Sequence, residues 1–339
     1  MSGWLKGGLR PLDRLRRALY QASMPQLAPL IADRQLRVLV LLACYGFSCL
    51  AVTATVPLWM LALGPIVWGI PHVVADIRYL VVVPGYHRRS WLMAGSIPLV
   101  LWAGYGGGML AGGAALGLAG ALTMGSPPRR ILVSAVGLLV CTLHFWARTP
   151  AELLFSHLHN GVALLWLLLL LPGAAQRTLL VAGFGLSAAW LMLAPLSWMP
   201  LGQGALLGPP SMGLGYHLGV LTPGIAPNLG LRLVLLFCFA QAFHYAIWVR
   251  LMPELLRRRS SPRGFAASYE ALTRDLGVWP VLLILAAMVG LVAFAALDLR
   301  VSREAYLRFA LFHGYLELVF LAVWWVEGRR WTSGRAHSH

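Results

Sequence analysis

Eight side chains that could bind a metal or carry a proton lie inside stretches of this sequence that are otherwise apolar. His72 and Asp76 sit in "GIPHVVAD", His144 in "LHFW", His157 and His159 in "FSHLHN", His244 in "FHYAIW", and His313 and Glu317 in "FHGYLEL". Imidazole-rich sets with few carboxylates and no thiolates suit iron, copper or zinc. An ionisable group inside an apolar span costs at least ~2.5 kcal/mol, which makes each one a functional hypothesis by default. A lone buried histidine is usually an interhelical hydrogen-bonder. What points to a shared site is depth: from the helical rise, each lies within about 8 Å of the middle of its own span.

The spacing adds detail. His72 and Asp76 are four apart, as are His313 and Glu317, so each pair shares a helix face. A carboxylate one turn from an imidazole can orient it through its second N–H or ligate directly. Pro71 removes a helical hydrogen bond and Gly69 loosens the same turn, which predicts a kink aiming His72 into the bundle. His157 and His159 point to opposite faces, so one of them is expected to face the bundle centre, with Asn160 on the His157 side. Gln241, His244, Tyr245 and Trp248 form a half-polar, half-aromatic stripe that could set one ligand beside a wall for an apolar substrate. Arg78 diverges from Asp76 and is expected to snorkel towards the inner face.

The elements that must hold these residues follow from composition. Of 339 residues, 59% are hydrophobic and 11% charged, against about 25% charged in a soluble domain. Runs such as "VLVLLACYGFSCLAVTATVPL" have the length of bilayer-spanning helices. The expected fold is an all-α polytopic membrane bundle of ten helices: 37–57, 60–83, 90–106, 108–125, 130–148, 151–172, 178–197, 230–252, 278–297 and 304–326. Eight is the alternative, with the glycine-rich pair 90–125 not crossing. Most arginines then fall in one set of connections, "HRR" (87–89), "PPRR" (127–130), "RRRSSPRG" (257–264) and "EGRR" (327–330), which puts both termini in the cytoplasm.

Residues 1–36 read as a basic amphipathic segment ahead of a retained first span, not a cleaved signal. The bundle covers 37–326, with a long uncharged outer loop (196–230) and a basic inner loop (253–277). Residues 327–339 form a polar tail. The net charge of +16 sits between apolar segments, where it meets anionic lipid headgroups and not nucleic acid. Cys44, Cys49, Cys141 and Cys238 show no CxxC spacing and read as small buried hydrophobes. His87, His217, His337 and His339 read as surface residues.

"GIPHVVAD" resembles the G-x-P-H-G-A-x-D segment of the Brp/Blh family, integral-membrane β-carotene dioxygenases that cleave the polyene centrally to retinal. Gly69, Pro71, His72 and Asp76 match, while Val73 and Val74 replace Gly-Ala. "LHFW" is similar to that family's W-H-F-G segment, with Trp146 in place of glycine. "FHYAIW" resembles the late helix that carries two family histidines four apart, with Trp248 at the second position. The resemblance spans roughly residues 69–250. It implies catalytic, iron-ligating His72, His144 and His244, with a fourth ligand from His313 or His157; Trp146 and Trp248, where the sequence departs from the family, are expected to line the substrate.

The expected function is therefore a metal-dependent oxygenase of the cytoplasmic (inner) membrane. Non-haem Fe2+ is the expected cofactor, acting with molecular oxygen on a carotenoid-like or other apolar lipid. Two other readings stay open. One is a proton- or ion-coupled transporter using His72, Asp76, His313 and Glu317 as a midplane relay. The other is a haem-binding membrane redox protein, with haem held by cross-helix histidine pairs. Composition does not fix the oligomeric state.

Overall fold

The computed structural model describes residues 2–23, 25–27, 30, 32–196, 208–257 and 260–328, which are all-helical with no strand among them. Eight helical stretches are long and apolar enough to cross a membrane: Arg34–Thr55, Pro57–Val82, Ser90–Leu122, Pro127–Leu170, Ala174–Leu193, Pro227–Leu256, Val278–Leu297 and Leu299–Glu327. The helices are α1 (Ser2–Ser23), α2 (Arg34–Thr55), α3 (Pro57–Asp76), α4 (Ser90–Trp102), α5 (Gly108–Leu122), α6 (Pro127–Leu170) and α7 (Ala174–Leu193). After them come α8 (Leu214–Leu221), α9 (Pro227–Ala246), α10 (Phe265–Leu276), α11 (Val278–Leu297), α12 (Leu299–Ala310) and α13 (Phe312–Glu327).

Two of the eight stretches fold back on themselves. Between α4 and α5 the backbone leaves helical geometry at Tyr105 and Gly106, the latter at φ 117°, a conformation open to glycine. Gly95 then lies against Leu122, so α4 and α5 run antiparallel. Within α6 the break is Ala147 (φ −149°, ψ 41°). Before it, α6 runs antiparallel to α5, with Gly113 beside Gly137 and Gly120 beside Val133. After it, Phe155 lies at Gly314, and the Trp166 indole N–H donates to the Glu317 carbonyl (3.4 Å), so this leg follows α13. Because α5 also follows α13, with Gly112 at Tyr315, the two legs of α6 point in opposite directions. The breaks fall where the sequence separates 90–106 from 108–125 and 130–148 from 151–172.

Small residues set the closest approach. A Cβ on Gly113 would sit 2.7 Å from the Gly137 carbonyl oxygen, which is why "GGGMLAGGAALGLAGAL" carries so little bulk. Through Gly69 and Pro71 the backbone keeps helical geometry, and α3 continues without a break. Its distortion falls one turn later, as a π-wound segment Ile77–Val82 directly after Asp76; a second π-wound segment, Ile247–Leu251, follows α9. Such turns often accompany functional sites.

The basic end of the bundle carries its own layer. α1 is amphipathic, with Leu12, Leu15 and Leu19 exposed along one face. Its Asp13 accepts hydrogen bonds from the Phe265 (2.7 Å) and Ala266 (3.1 Å) amides, capping α10. The 253–277 segment, expected as a basic loop, thus contains a docked helix. Of the cysteines, all free, Cys49 and Cys238 are buried but Cys44 is exposed on the bundle surface.

Candidate metal centre

Four helices deliver an imidazole each to the bundle interior: His72 from α3, His159 from the second leg of α6, His244 from α9 and His313 from α13. The rings meet edge-on. Centroid separations are 4.7 Å for His72–His313, 5.3 Å for His72–His244, 5.4 Å for His159–His313, 5.5 Å for His159–His244 and 5.7 Å for His244–His313. One ring nitrogen from each of His72, His244 and His313 can be chosen so that all three lie within 4.8 Å of one another. Asp76, His313 and Glu317 form a second such group with His313 in common.

The local backbone orients three of these rings. Nδ1 of His72 faces the Trp68 carbonyl (3.2 Å), Nδ1 of His159 that of Ser156 (2.6 Å), and Nδ1 of His313 that of Ala310 (2.5 Å). A carbonyl only accepts, so each Nδ1 carries the proton and each Nε2 presents a bare lone pair. The Nε2 atoms of His72 and His313 are buried with no hydrogen-bond partner, and neither nitrogen of His244 has one. This is the arrangement in which the outer N–H of a ligating histidine is fixed and the inner nitrogen is left for a metal.

The carboxylates sharpen the same point. Asp76 and Glu317 are both fully buried; neither Asp76 oxygen has a hydrogen-bond partner among the described residues, and Glu317 lies against the Trp248 indole and His244 Nε2, the latter 3.4 Å from its Oε1. The neighbouring arginines are committed elsewhere. Arg78 pairs with Asp275 (2.6 Å), and Arg303 donates to the Leu61 carbonyl (2.7 Å) and to Tyr216 (3.3 Å). A buried carboxylate without compensation is costly. The donor set, four imidazoles and two carboxylates with inward lone pairs, fits a divalent transition metal.

Aromatic groups close the site. The Tyr245 ring lies 4.8 Å from that of His72, and its hydroxyl receives a hydrogen bond from Gln241 (3.1 Å). Trp248 is wholly buried beside Glu317. Tyr306 packs its ring against Gly69, where any side chain would collide with it. Gly69 therefore provides clearance for Tyr306. Sequence reading missed Tyr306, although it stands seven residues before His313 on the same face.

Several candidates lie elsewhere. Asp76 was expected to orient His72, yet His72 is held by its own helix's Trp68 carbonyl. His144 sits at the far end of its leg by Gly108, with Nδ1 3.7 Å from Glu152. The geometry brings it to none of the other imidazoles. His157 turns the opposite way from His159, placing Nε2 3.0 Å from the Leu221 carbonyl and its ring against Phe237. Trp146 is 85% exposed on the outer surface of the bundle and lines no interior site. Asn160 is buried with neither amide atom partnered. His217, expected at the surface, is wholly buried in α8 beside Tyr216, because part of the 196–230 loop folds into that helix. His87 is exposed, and His337 and His339 lie outside the described residues.

Comparison with protein families, characterised proteins and solved structures finds no match to this chain.

Proposed function

We propose that this chain is a membrane-embedded, metal-dependent oxygenase acting on a carotenoid-like apolar substrate, with iron held by His72, His159, His244 and His313. It would cross the cytoplasmic membrane ten times, counting each leg of the two folded-back stretches, with both termini inside. The observation that carries the reading is the inward, unpartnered Nε2 of His72 and His313 beside His244 and two buried carboxylates that no arginine neutralises. Iron in such a site supplies redox chemistry with molecular oxygen. The resemblance of "GIPHVVAD" to the Brp/Blh segment supports polyene cleavage as the reaction.

The protein's part is to orient and to exclude water. Backbone carbonyls of Trp68, Ser156 and Ala310 fix three rings, and burial of His72, His244, Asp76 and Glu317 keeps bulk solvent away. Tyr245, Trp248 and Tyr306 give an aromatic wall against which an apolar chain entering from the bilayer can lie. Rings in edge contact at 4.7–5.7 Å leave no gap for a porphyrin plane, which disfavours haem. The relay alternative rests on Asp76, His313 and Glu317 lying together, and it requires no stoichiometric metal.

Anaerobic purification with metal quantification and a visible spectrum tests this. The expected result is stoichiometric iron without a Soret band, lost in His72→Ala and His159→Ala and retained in His157→Ala, with retinal formed in a carotene-accumulating host. Metal-free wild-type protein would overturn the proposal.

A further inference from the structure

The basic end holds a cavity of about 960 Å³ remote from the histidine cluster. Its wall includes Arg78, Arg88, Arg257, Arg263 and Arg274, with Asp275 and Glu270 as the only acids among the described lining residues. Asp275 already serves Arg78 (2.6 Å) and Arg274 (3.2 Å). Arg88 and Arg263 have no acidic partner among the described residues, although both face the same space.

Behind the cavity the charge imbalance deepens. Glu254, 1% exposed, is approached by Arg37 (2.7 Å), Arg250 (3.5 Å) and Arg257, while Arg34 donates to its backbone carbonyl (2.9 Å). The carboxylate thus meets three guanidinium groups, and a fourth meets its backbone carbonyl. Arg257 is 7% exposed, and its Nε has no hydrogen-bond partner while it lines the cavity. Burial and the neighbouring arginines push its guanidinium down to about 10 despite Glu254.

We propose that this cavity is a binding site for a phosphate-bearing anion, supplied at the membrane surface by an anionic phospholipid headgroup. Guanidinium groups match phosphate oxygens in fork geometry. The flanking elements suit a headgroup: α1 exposes leucines along one face beside α10, the arrangement of helices lying in the interfacial plane. Basic pockets on this side of membrane proteins attract anionic lipid in general.

Delipidated protein in detergent is titrated with phosphatidylglycerol, phosphatidylcholine or inorganic phosphate, and bound ligand is read by native mass spectrometry. The variant Arg88→Gln/Arg263→Gln removes two guanidinium groups that hold no ion pair, and Arg14→Gln/Arg17→Gln on the exposed face of α1 is the charge-matched control. The expected result is phosphatidylglycerol binding that weakens at least fivefold in Arg88→Gln/Arg263→Gln and is unchanged in the control. Binding of inorganic phosphate with the same dependence upholds the site and makes its source soluble phosphate. Equal binding to wild type and Arg88→Gln/Arg263→Gln, equal loss in the control, or no binding of either anion overturns the proposal.

Discussion

Two regions of this protein bury charged and polar groups, and they treat them in opposite ways. At the basic end, Glu254 is surrounded by Arg37, Arg250 and Arg257, and Arg37 also reaches the Ser260 carbonyl (2.5 Å). At mid-bundle, Asp76 and the inward nitrogens of His72, His244 and His313 have no hydrogen-bond partner among the described residues, and Glu317 has only the Trp248 indole and a loose His244 contact beside it. Burial alone therefore does not mark a functional site. The first region encloses its carboxylate among arginines, as a clamp between α2 and the short helix Met252–Leu256; the second leaves its carboxylates without an arginine.

The comparison breaks most severely at Glu254. Removing one member of a buried, hydrogen-bonded charge set costs about 3–5 kcal/mol, because its partners remain buried and unpaired. Glu254→Ala strands Arg37 and Arg257, and a loss of that size is expected in unfolding followed by circular dichroism in detergent. A change below ~1 kcal/mol would show that water reaches these arginines and that the clamp is not one.

The same operation at mid-bundle is expected to have the opposite sign. Glu317→Leu removes a buried carboxylate that has no arginine partner and meets only the Trp248 indole and, loosely, His244, so metal-free protein should be stabilised by ~1–3 kcal/mol. Iron content should fall in the same variant. Destabilisation of the metal-free form would mean that Glu317 has a structural partner, and the contrast between the two regions would fail.

How much of this was legible in the sequence follows from the same physics. Helices of this length and apolarity are dictated by local composition, so the helical class and the candidate spans could be read directly. The cluster was legible as a set of residues at one depth, since depth follows from helical rise. Facing was not. His157 and His159 are equivalent in a helical repeat until it is known which side of α6 meets α13. His144 does not keep the depth expected for it, because the reversal at Ala147 leaves it at the end of its leg beside Gly108 and Glu152. The roles of Gly69 and Asp76 depended on contacts between helices, with Tyr306 and Glu317, that no local pattern encodes.

His217 sharpens the comparison from a third place, outside the spans. Burial pushes its imidazole down to about 4, and Arg303 adds to the effect. A folded-state value below the ordinary 6.5 means that the unfolded chain binds the proton more readily. The stability tied to neutral His217 is therefore complete above about pH 6.5 and is lost as pH falls towards 4. Between pH 7 and pH 5 the expected loss is ~1–2 kcal/mol, allowing for partial solvent screening. His217→Leu should flatten that part of the stability profile, whereas an unchanged slope would assign it to other groups.

The smallest expected effect belongs to the residue on which the family resemblance and the geometry disagree. "LHFW" resembles, at His144 and Phe145, the Brp/Blh segment whose likeness would make His144 a ligand. Here that side chain lies beside Glu152 at 3.7 Å, and Arg148, 59% exposed at its side chain, competes for the same carboxylate at 3.4 Å. Pairs this open contribute about 0–1 kcal/mol. His144→Ala should therefore retain its iron and lose less than ~1 kcal/mol of stability, in contrast to His159→Ala, which stability measurements alone would not separate from it. Iron lost from His144→Ala with its fold intact would mean that the first leg of α6 swings inward when metal binds. The cluster of four would then be only part of the ligand set.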